Sequence, residues 1–263
     1  MTAEHQALLS ELRAALAADP RVRSLWLSGS FGRGEGDAWS DLDLTVVAEA
    51  ADLPALIADF RRPRPDLPPQ VFGQLVHGRI VSAITPEWMR FDIAFLTPAE
   101  FAAQDGASLQ RLAGDLDETP PPRERARDAG SPARVSAIAD EFIRVLGLLP
   151  VAVARQEWIV AQQGFDLLRR LTVDLFLEEN ALPPGARGVK RLNAFLTAEQ
   201  RTALEAVAPP AADEAAILAA NRAIAALFLP RARRLAADLG LDWPDAFEAA
   251  TRRRLHDDLG LDL

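Results

Sequence analysis

The stretch that determines the fold is LWLSGSFGRGEGDAWSDLDL, residues 25–44. It consists of a short apolar run, a turn that holds four glycines, and a segment in which acidic and apolar side chains alternate from residue 41 to residue 47. Alternation with a period of two is typical of a β-strand with one buried face. The sequence therefore predicts a strand, a tight loop and a second strand that presents Asp41 and Asp43 on the same face.

These two carboxylates are candidate metal ligands. Side by side they repel each other, and Mg²⁺ in proteins is commonly held by one or two carboxylates together with phosphate and water oxygens. Asp92 lies on the polar side of a further alternating segment, residues 88–96. If that strand pairs beside the Asp41–Asp43 strand, three carboxylates converge, which suits two metal ions about 4 Å apart. Glu87 is the alternative third ligand if the register differs.

Gly29 and Ser30 are candidate phosphate ligands. Backbone N–H groups in a glycine-containing turn can hold anionic oxygens, and the serine hydroxyl adds a donor. Arg33 and Ser40 are further candidates for nucleotide binding, although Ser40 could equally cap the turn that precedes the strand. The segment contains neither the Gly-Lys-[Ser/Thr] ending of a P-loop nor a G-x-G-x-x-G dinucleotide motif.

The order of these residues resembles a known family. Gly29-Ser30, then Asp41-x-Asp43 about a dozen residues later, then a third carboxylate on a later strand, is similar to the DNA polymerase β-like nucleotidyltransferase superfamily. The form GSFGRG…SDLDL is most like small bacterial members, including aminoglycoside, lincosamide and minimal nucleotidyltransferases. The resemblance implies that Gly29 and Ser30 hold the β- and γ-phosphates of an NTP. It also implies that Asp41 and Asp43 bind metals and that Asp92 completes the set, with a second role as general base.

For function, the resemblance implies transfer of NMP from an NTP, most often ATP, to a hydroxyl of a small molecule with release of pyrophosphate. Two Mg²⁺ ions would be the cofactors, and an aminoglycoside or lincosamide antibiotic would be the acceptor, with antibiotic resistance as the role. Two alternatives remain open: a nucleotidyltransferase that modifies a protein, as in toxin–antitoxin systems, and a catalytically silent nucleotide-binding regulator. The complete carboxylate set favours an enzyme, and the long second half favours a built-in site for a small acceptor.

The rest of the chain predicts an α+β protein in two domains. Residues 119–133 are rich in proline, glycine and charge, which is typical of a linker. We expect a catalytic domain at 1–118 with a mixed β-sheet flanked by helices, and an all-α acceptor-binding bundle at 134–263. Predicted helices are 3–18, 52–62, 135–149, 155–179, 212–239 and 243–259 with two shorter ones in 187–207, and predicted strands are 22–27, 41–47, 71–76, 79–84 and 88–96.

Charge and composition limit the partners. The net charge is −9, and residues 1–118 hold −8 of it. Such acidity argues against nucleic-acid binding and favours a cationic acceptor. The absence of cysteine excludes disulfides and thiolate metal sites. No signal peptide and no apolar run of membrane-spanning length is evident, so we expect a cytoplasmic monomer or homodimer with no membrane contact.

The second half offers weaker candidates. Lys190, the only lysine, could reach the triphosphate, but a solvated helix start is the interpretation that we favour. Asp166, Arg170, Asp174 and Glu178 are spaced by four along one helix face, which indicates exposed i,i+4 pairs. The alternative is an acidic wall for a cationic acceptor, with Asp174 or Glu178 as general base. The three histidines show no metal-ligand spacing and are interpreted as ordinary.

Overall fold

The computed structural model describes residues 1–62, 64–114, 119–122, 131–180 and 192–263. The chain divides into two compact units, Met1–Glu124 and Arg125–Leu263. The domain boundaries predicted at residues 118 and 134 remain predictions, and most of the predicted linker, residues 123–130, lies outside the described residues.

The first unit contains a mixed β-sheet with the strand order β3-β4-β5-β2-β1-β6. Strands β2 and β5 run parallel, and every other pair of neighbours is antiparallel. This is the mixed sheet flanked by helices that the sequence predicts. Its elements are α1 (Ala3–Ala17), β1 (Val22–Leu27), α2 (Gly29–Gly32), β2 (Leu42–Ala48), α3 (Leu53–Phe60), β3 (Phe72–Val76), β4 (Ile80–Ile84), β5 (Arg90–Leu96), α4 (Pro98–Ala102), a 3₁₀ turn (Gly106–Ser108) and β6 (Gln110–Gly114).

Strand β2 departs from the prediction in its burial. The alternation indicates one buried face, but Thr45 and Val47 on the other face are buried as well. Val47 packs in a second apolar cluster with Trp26 of β1 and Phe101 of α4. The sequence pattern does not indicate that a helix packs over this face of β2, because α4 was not predicted. Only the first residues of β2 keep a polar side open, and the carboxylates lie there.

The hairpin β3–β4 forms as predicted. Residues 77–79 connect the strands, since Val76 pairs with Ile80. His77 and Gly78 have φ values of 51° and 70°, as in the centre of a type I′ turn, and the Arg79 N–H donates to the Val76 carbonyl at 3.1 Å. Neither the short helix α2 nor strand β6 was predicted, since both are brief and β6, QRLAG, lacks a continuous apolar face.

The second unit is helical throughout the residues that the structure describes. The predicted helix 135–149 is found at Pro132–Leu146 and ends at Gly147. A short helix that was not predicted follows at Leu149–Ala154, with Pro150 in its opening turn. The other predicted helices are found with shifts of a few residues at their ends. The elements are α5 (Pro132–Leu146), α6 (Leu149–Ala154), α7 (Trp158–Glu179), α8 (Leu192–Phe195), α9 (Ala198–Glu205), α10 (Glu214–Asp238) and α11 (Asp245–Leu259).

Helix α10 is the central helix of this bundle. In the described part of the chain it alone is long and apolar enough to cross a membrane, judged by length and composition. Its apolar residues Ile217, Ile224 and Phe228 are fully buried in the helical core. The Phe228 ring stacks on that of Phe142 of α5, with centroids 3.7 Å apart. One face of this helix is therefore buried in the helical core.

The carboxylate of Glu248 makes the second unit sensitive to acid. Burial alone would raise its pKa, but hydrogen bonds from Trp243, Arg252 and Arg233 outweigh burial and hold the pKa below its ordinary value. The stabilisation is therefore complete above the pKa of the unfolded chain and is lost as the pH falls through the lower pKa of the folded state. We expect Glu248→Gln to cost about 2 kcal/mol at pH 7, since it weakens hydrogen bonds to a charged group, and to flatten the acid limb of urea-unfolding stability. An unchanged acid limb in the variant would contradict this assignment.

Candidate functional site

The three candidate carboxylates converge at one end of the sheet. Asp43 on β2 lies directly opposite Asp92 on β5 in the parallel register, and Asp41 immediately precedes β2. One ligand oxygen from each of Asp41, Asp43 and Asp92 lies within 4.8 Å of the others. All three side chains are half-buried. Glu87, the alternative ligand, lies in the exposed β4–β5 turn and is not part of this cluster.

The cluster concentrates negative charge. At a separation of about 4.8 Å and an effective dielectric of about 20, two ionised carboxylates repel by about 3.5 kcal/mol. Arg90 offsets part of this, since its Nη1 lies 3.9 Å from Asp41 Oδ2. Its Nη2 donates to the Trp39 carbonyl at 2.9 Å. The carboxylate oxygens of the cluster are the donors that hard divalent cations prefer.

The loop after β1 lies tightly against this cluster. Ser28 N–H donates to the Asp43 carbonyl at 2.8 Å. Gly29 adopts a φ of +60°, and a Cβ at this position would lie 1.8 Å from Asp43 Oδ2. Only glycine both tolerates this positive φ and has no Cβ to collide with the carboxylate. The glycine of the motif therefore brings the backbone into contact with the carboxylate cluster.

The Ser30 hydroxyl is the one buried side-chain polar atom without a hydrogen-bond partner among the described residues. Leaving a buried hydroxyl unsatisfied costs about 1–3 kcal/mol. Native proteins rarely tolerate such a group without a reason. A bound anion at the Gly29–Ser30 turn would supply the missing acceptor.

Gln110 supports this turn from β6. Its side-chain amide donates to the carbonyls of Phe31 and Gly32 at 3.2 and 3.0 Å, which satisfies the end of α2. Sequence reasoning missed Gln110, because nothing near it in the sequence shows that β6 pairs with β1 through Leu27. The turn is thus held from both sides, by β2 and by β6.

The other predicted nucleotide ligands have different surroundings. Arg33 is exposed and its Nε donates to Glu35 at 3.0 Å. Ser40 Oγ donates to Asp37 Oδ1 and accepts from the Asp37 N–H, each at 3.0 Å. Ser40 thus makes the turn-capping contacts of the alternative interpretation. Lys190 lies outside the described residues.

His5 contacts the loop before β2 and helix α2. It is buried, and its Nε2 lies 2.9 Å from the Ser40 carbonyl, which ties α1 to the loop before β2. Its ring also packs against Phe31 of α2 at 5.1 Å. These contacts give His5 a structural role between α1, α2 and the loop before β2.

Contrary to the sequence prediction, the acidic residues on α7 do not all lie on an exposed face. Asp166 is exposed as predicted, but Glu178 is fully buried. Glu178 accepts from the Ser131 N–H at 2.9 Å and pairs with Arg134 at 2.8 Å. The same guanidinium lies 3.5 Å from Asp174. These contacts fasten the start of α5 to α7, so Glu178 belongs to the interior of the helical unit rather than to an exposed face.

The first unit is therefore a mixed α+β domain in which three carboxylates converge beside a tight glycine turn. No family model and no curated protein sequence matches the chain. Solved structures similar to it include an aminoglycoside 6-adenyltransferase from Bacillus subtilis, with 13% identity, a TM-score of 0.44 and coverage of 97% of this chain and 98% of that one.

Two further structures are similar over most of this chain. A nucleotidyltransferase-like protein from Exiguobacterium sibiricum has 12% identity and a TM-score of 0.34, with 97% and 88% of the two chains covered. A CCA-adding enzyme has 12% identity and a TM-score of 0.36, with 98% and 69% covered. Because each TM-score is below 0.5, the assignment of the site rests on its own geometry.

Proposed function

We propose that this protein is a divalent-metal-dependent nucleotidyltransferase. It transfers NMP, with ATP as the preferred donor, to a hydroxyl of a small molecule such as an aminoglycoside or lincosamide, and it releases pyrophosphate. The observation that carries the proposal is the convergence of Asp41, Asp43 and Asp92 within 4.8 Å beside the turn at Gly29 and Ser30. Phosphoryl chemistry needs charge neutralisation and positioning above all, and these residues are suited to both.

The donor set fits Mg²⁺. Asp41, Asp43 and Asp92 are hard oxygen ligands from adjacent strands, and they would hold the metal, with two ions expected from the resemblance. When bound, Mg²⁺ neutralises the triphosphate and lowers the pKa of the attacking hydroxyl.

The phosphates are assigned to the turn after β1. There Gly29 and Ser30 would hold the β- and γ-phosphates through backbone N–H groups and the unpartnered hydroxyl. The acceptor oxygen forms a bond to the α-phosphorus as the bond to the β-phosphate oxygen breaks, and pyrophosphate leaves. Asp92, the proposed general base, accepts the proton of the hydroxyl.

The acceptor class is inferred from charge and size. Most of the net charge of −9 lies in the first unit, which favours a cationic acceptor over a polyanion. The helical second unit is proposed to bind the acceptor, and antibiotic modification in the cytoplasm is the proposed role. Modification of a protein is the alternative, and a +AMP mass adduct on a co-expressed protein would favour it.

A pyrophosphate-release screen tests the proposal. Each of the four NTPs is combined with Mg²⁺ and with aminoglycosides, lincosamides and other hydroxyl-bearing small molecules. We expect release with ATP that depends on the acceptor. ATP binding without release across the whole panel would favour the silent regulator instead.

Ser30 offers a prediction that separates nucleotide binding from folding. Since its hydroxyl has no hydrogen-bond partner in the part of the chain that the structure describes, Ser30→Ala should leave Tm unchanged or slightly higher. The KM for ATP should rise about tenfold, the equivalent of one lost hydrogen bond to a charged group, about 1.4 kcal/mol. Steady-state kinetics and thermal unfolding on the same sample measure both.

Ser28→Ala is the matched control. The Ser28 hydroxyl accepts from Thr45 Oγ1 at 3.3 Å, so its loss removes a contact within the protein. We expect a slightly lower Tm and an unchanged KM for ATP. If Ser30→Ala lowered Tm and left the KM for ATP unchanged, Ser30 would have a structural role.

A further inference from the structure

Two tryptophans beside the carboxylate cluster are the most exposed large apolar side chains among the described residues. Trp39 is 87% exposed and Trp88 is 73% exposed. Tryptophan is usually largely buried in folded proteins. By contrast, Trp26 in the same unit is 1% exposed. The exposure of these two indoles therefore needs an explanation that folding does not supply.

Both indoles lie at the end of the sheet that carries the carboxylates. In the parallel pair β2–β5, Leu42 is opposite Phe91. Trp39 stands three residues before Leu42, and Trp88 stands three residues before Phe91. Arg90 links the two segments, since its side chain donates to the Trp39 carbonyl at 2.9 Å. Trp39 and Trp88 are thus held at the open end of the two strands that bear Asp43 and Asp92.

Trp88 also has a left-handed backbone conformation, in which glycine would be the more stable residue. Thr85 N–H donates to the Met89 carbonyl, and Trp88 N–H donates to the Thr85 carbonyl, both at 2.9 Å. These bonds close a three-residue hairpin loop in which Trp88 has a φ of 64°. This left-handed position is usually glycine in such loops. A bulky residue there costs about 1–2 kcal/mol.

The strand order places these indoles on the acceptor's side of the proposed reaction. The Gly29–Ser30 turn follows β1, which lies on one side of β2, whereas β5 and β4 lie on the other. If pyrophosphate is held at the β1 side, an in-line attack on the α-phosphorus brings the hydroxyl from the β5 side. Trp88 lies in the β4–β5 turn, and Trp39 is tied to β5.

We infer that Trp39 and Trp88 form the platform on which the ring of the acceptor stacks, and that this acceptor is a cationic, hydroxyl-rich ring compound of the aminoglycoside type. An indole face attracts ammonium groups and packs against apolar ring faces. The exposed carboxylates of Asp37 and Glu87 lie within two residues of the indoles along the chain and complement a positive charge. The inference rests on the proposed nucleotidyltransferase function, and it assigns the part of the acceptor site that the first unit supplies, in addition to the contacts proposed for the second unit.

The test compares alanine and phenylalanine variants of both tryptophans, with kanamycin as the acceptor and MgATP as the donor. For Trp39→Ala and Trp88→Ala we expect the KM for kanamycin to rise about tenfold, while the KM for ATP stays within about twofold. Trp39→Phe and Trp88→Phe keep an aromatic face and should recover most of the affinity. These side chains are exposed, so Tm should not fall.

Trp88→Gly adds a readout that a structural role would not produce. Glycine relieves the left-handed strain, so Tm should rise while the KM for kanamycin increases.

An unchanged KM for kanamycin in all the alanine variants would overturn the inference and leave the nucleotidyltransferase function intact. A rise in the KM for ATP alone would also overturn it, because the indoles would then bind the nucleotide base. Failure of the wild-type protein to transfer to kanamycin would overturn the assigned acceptor class, and failure with every acceptor of the screen would overturn the proposed function as well.

Discussion

The double substitution Asp41→Asn and Asp43→Asn should reduce acceptor-dependent pyrophosphate release by at least about 1,000-fold, a loss of about 4 kcal/mol of transition-state stabilisation. The physical reason is that three carboxylates within 4.8 Å are the cation site of the proposed mechanism. Asparagine keeps the size of the side chain but removes the charge that binds the metal. The site is half-buried at the sheet end, outside the apolar core, so the fold should survive.

Thermal unfolding with and without Mn²⁺ supplies a readout that does not depend on catalysis. Mn²⁺ should raise the Tm of the wild-type protein and leave that of the double variant unchanged, because only the folded cluster binds the ion. Asp66→Asn is the matched control, since Asp66 is an exposed carboxylate of the same unit that pairs with Arg64. It should keep both the activity and the Mn²⁺ shift. Full activity in the double variant would show that the carboxylates do not perform the chemistry.

Gly29→Ala should produce the second large effect, a loss of activity of at least about 100-fold, equivalent to about 2.7 kcal/mol. The added Cβ would lie 1.8 Å from Asp43 Oδ2, so either the carboxylate or the turn must move. Either movement separates the phosphate-binding turn from the metal ligands. The Mn²⁺-induced shift in Tm should shrink in parallel, because Asp43 is displaced from Asp41 and Asp92.

Gly34→Ala separates the steric effect from the conformational one. Gly34 also has a positive φ, +75°, but a Cβ there would meet nothing within 4 Å. Its substitution should cost about 1 kcal/mol of stability through backbone strain and leave the activity close to that of the wild type. Equal losses of activity in Gly29→Ala and Gly34→Ala would mean that strain in the loop, not contact with Asp43, explains the effect.

The carboxylate cluster was predictable because two alternating segments, residues 41–47 and 88–96, each place aspartate on the polar face of a strand. Alternation fixes which face of each strand carries Asp43 and Asp92, and both strands present acidic residues on the polar side. Once the strands are parallel neighbours, the register brings the two residues opposite each other. The strand pairing itself was a condition of the prediction, not a consequence of the sequence.

Other features depend on contacts that are distant in sequence. Gln110 reaches the α2 carbonyls only because β6 pairs with β1, some 80 residues earlier in the chain. Glu178 follows a polar spacing on α7, yet Arg134 and Ser131 of another segment cover it. Trp39 and Trp88 were not singled out, since exposure is a property of the folded chain and apolar residues are ordinarily expected inside.

The most direct test of nucleotidyl transfer uses ATP labelled with ³²P at either the α- or the γ-phosphate, incubated with the protein, Mg²⁺ and an acceptor found in the screen. Attack on the α-phosphorus beside Asp41, Asp43 and Asp92 predicts that the acceptor gains the α-label and that the γ-label appears only in pyrophosphate. Appearance of the γ-label on the acceptor would show phosphoryl transfer instead and would contradict the proposed mechanism.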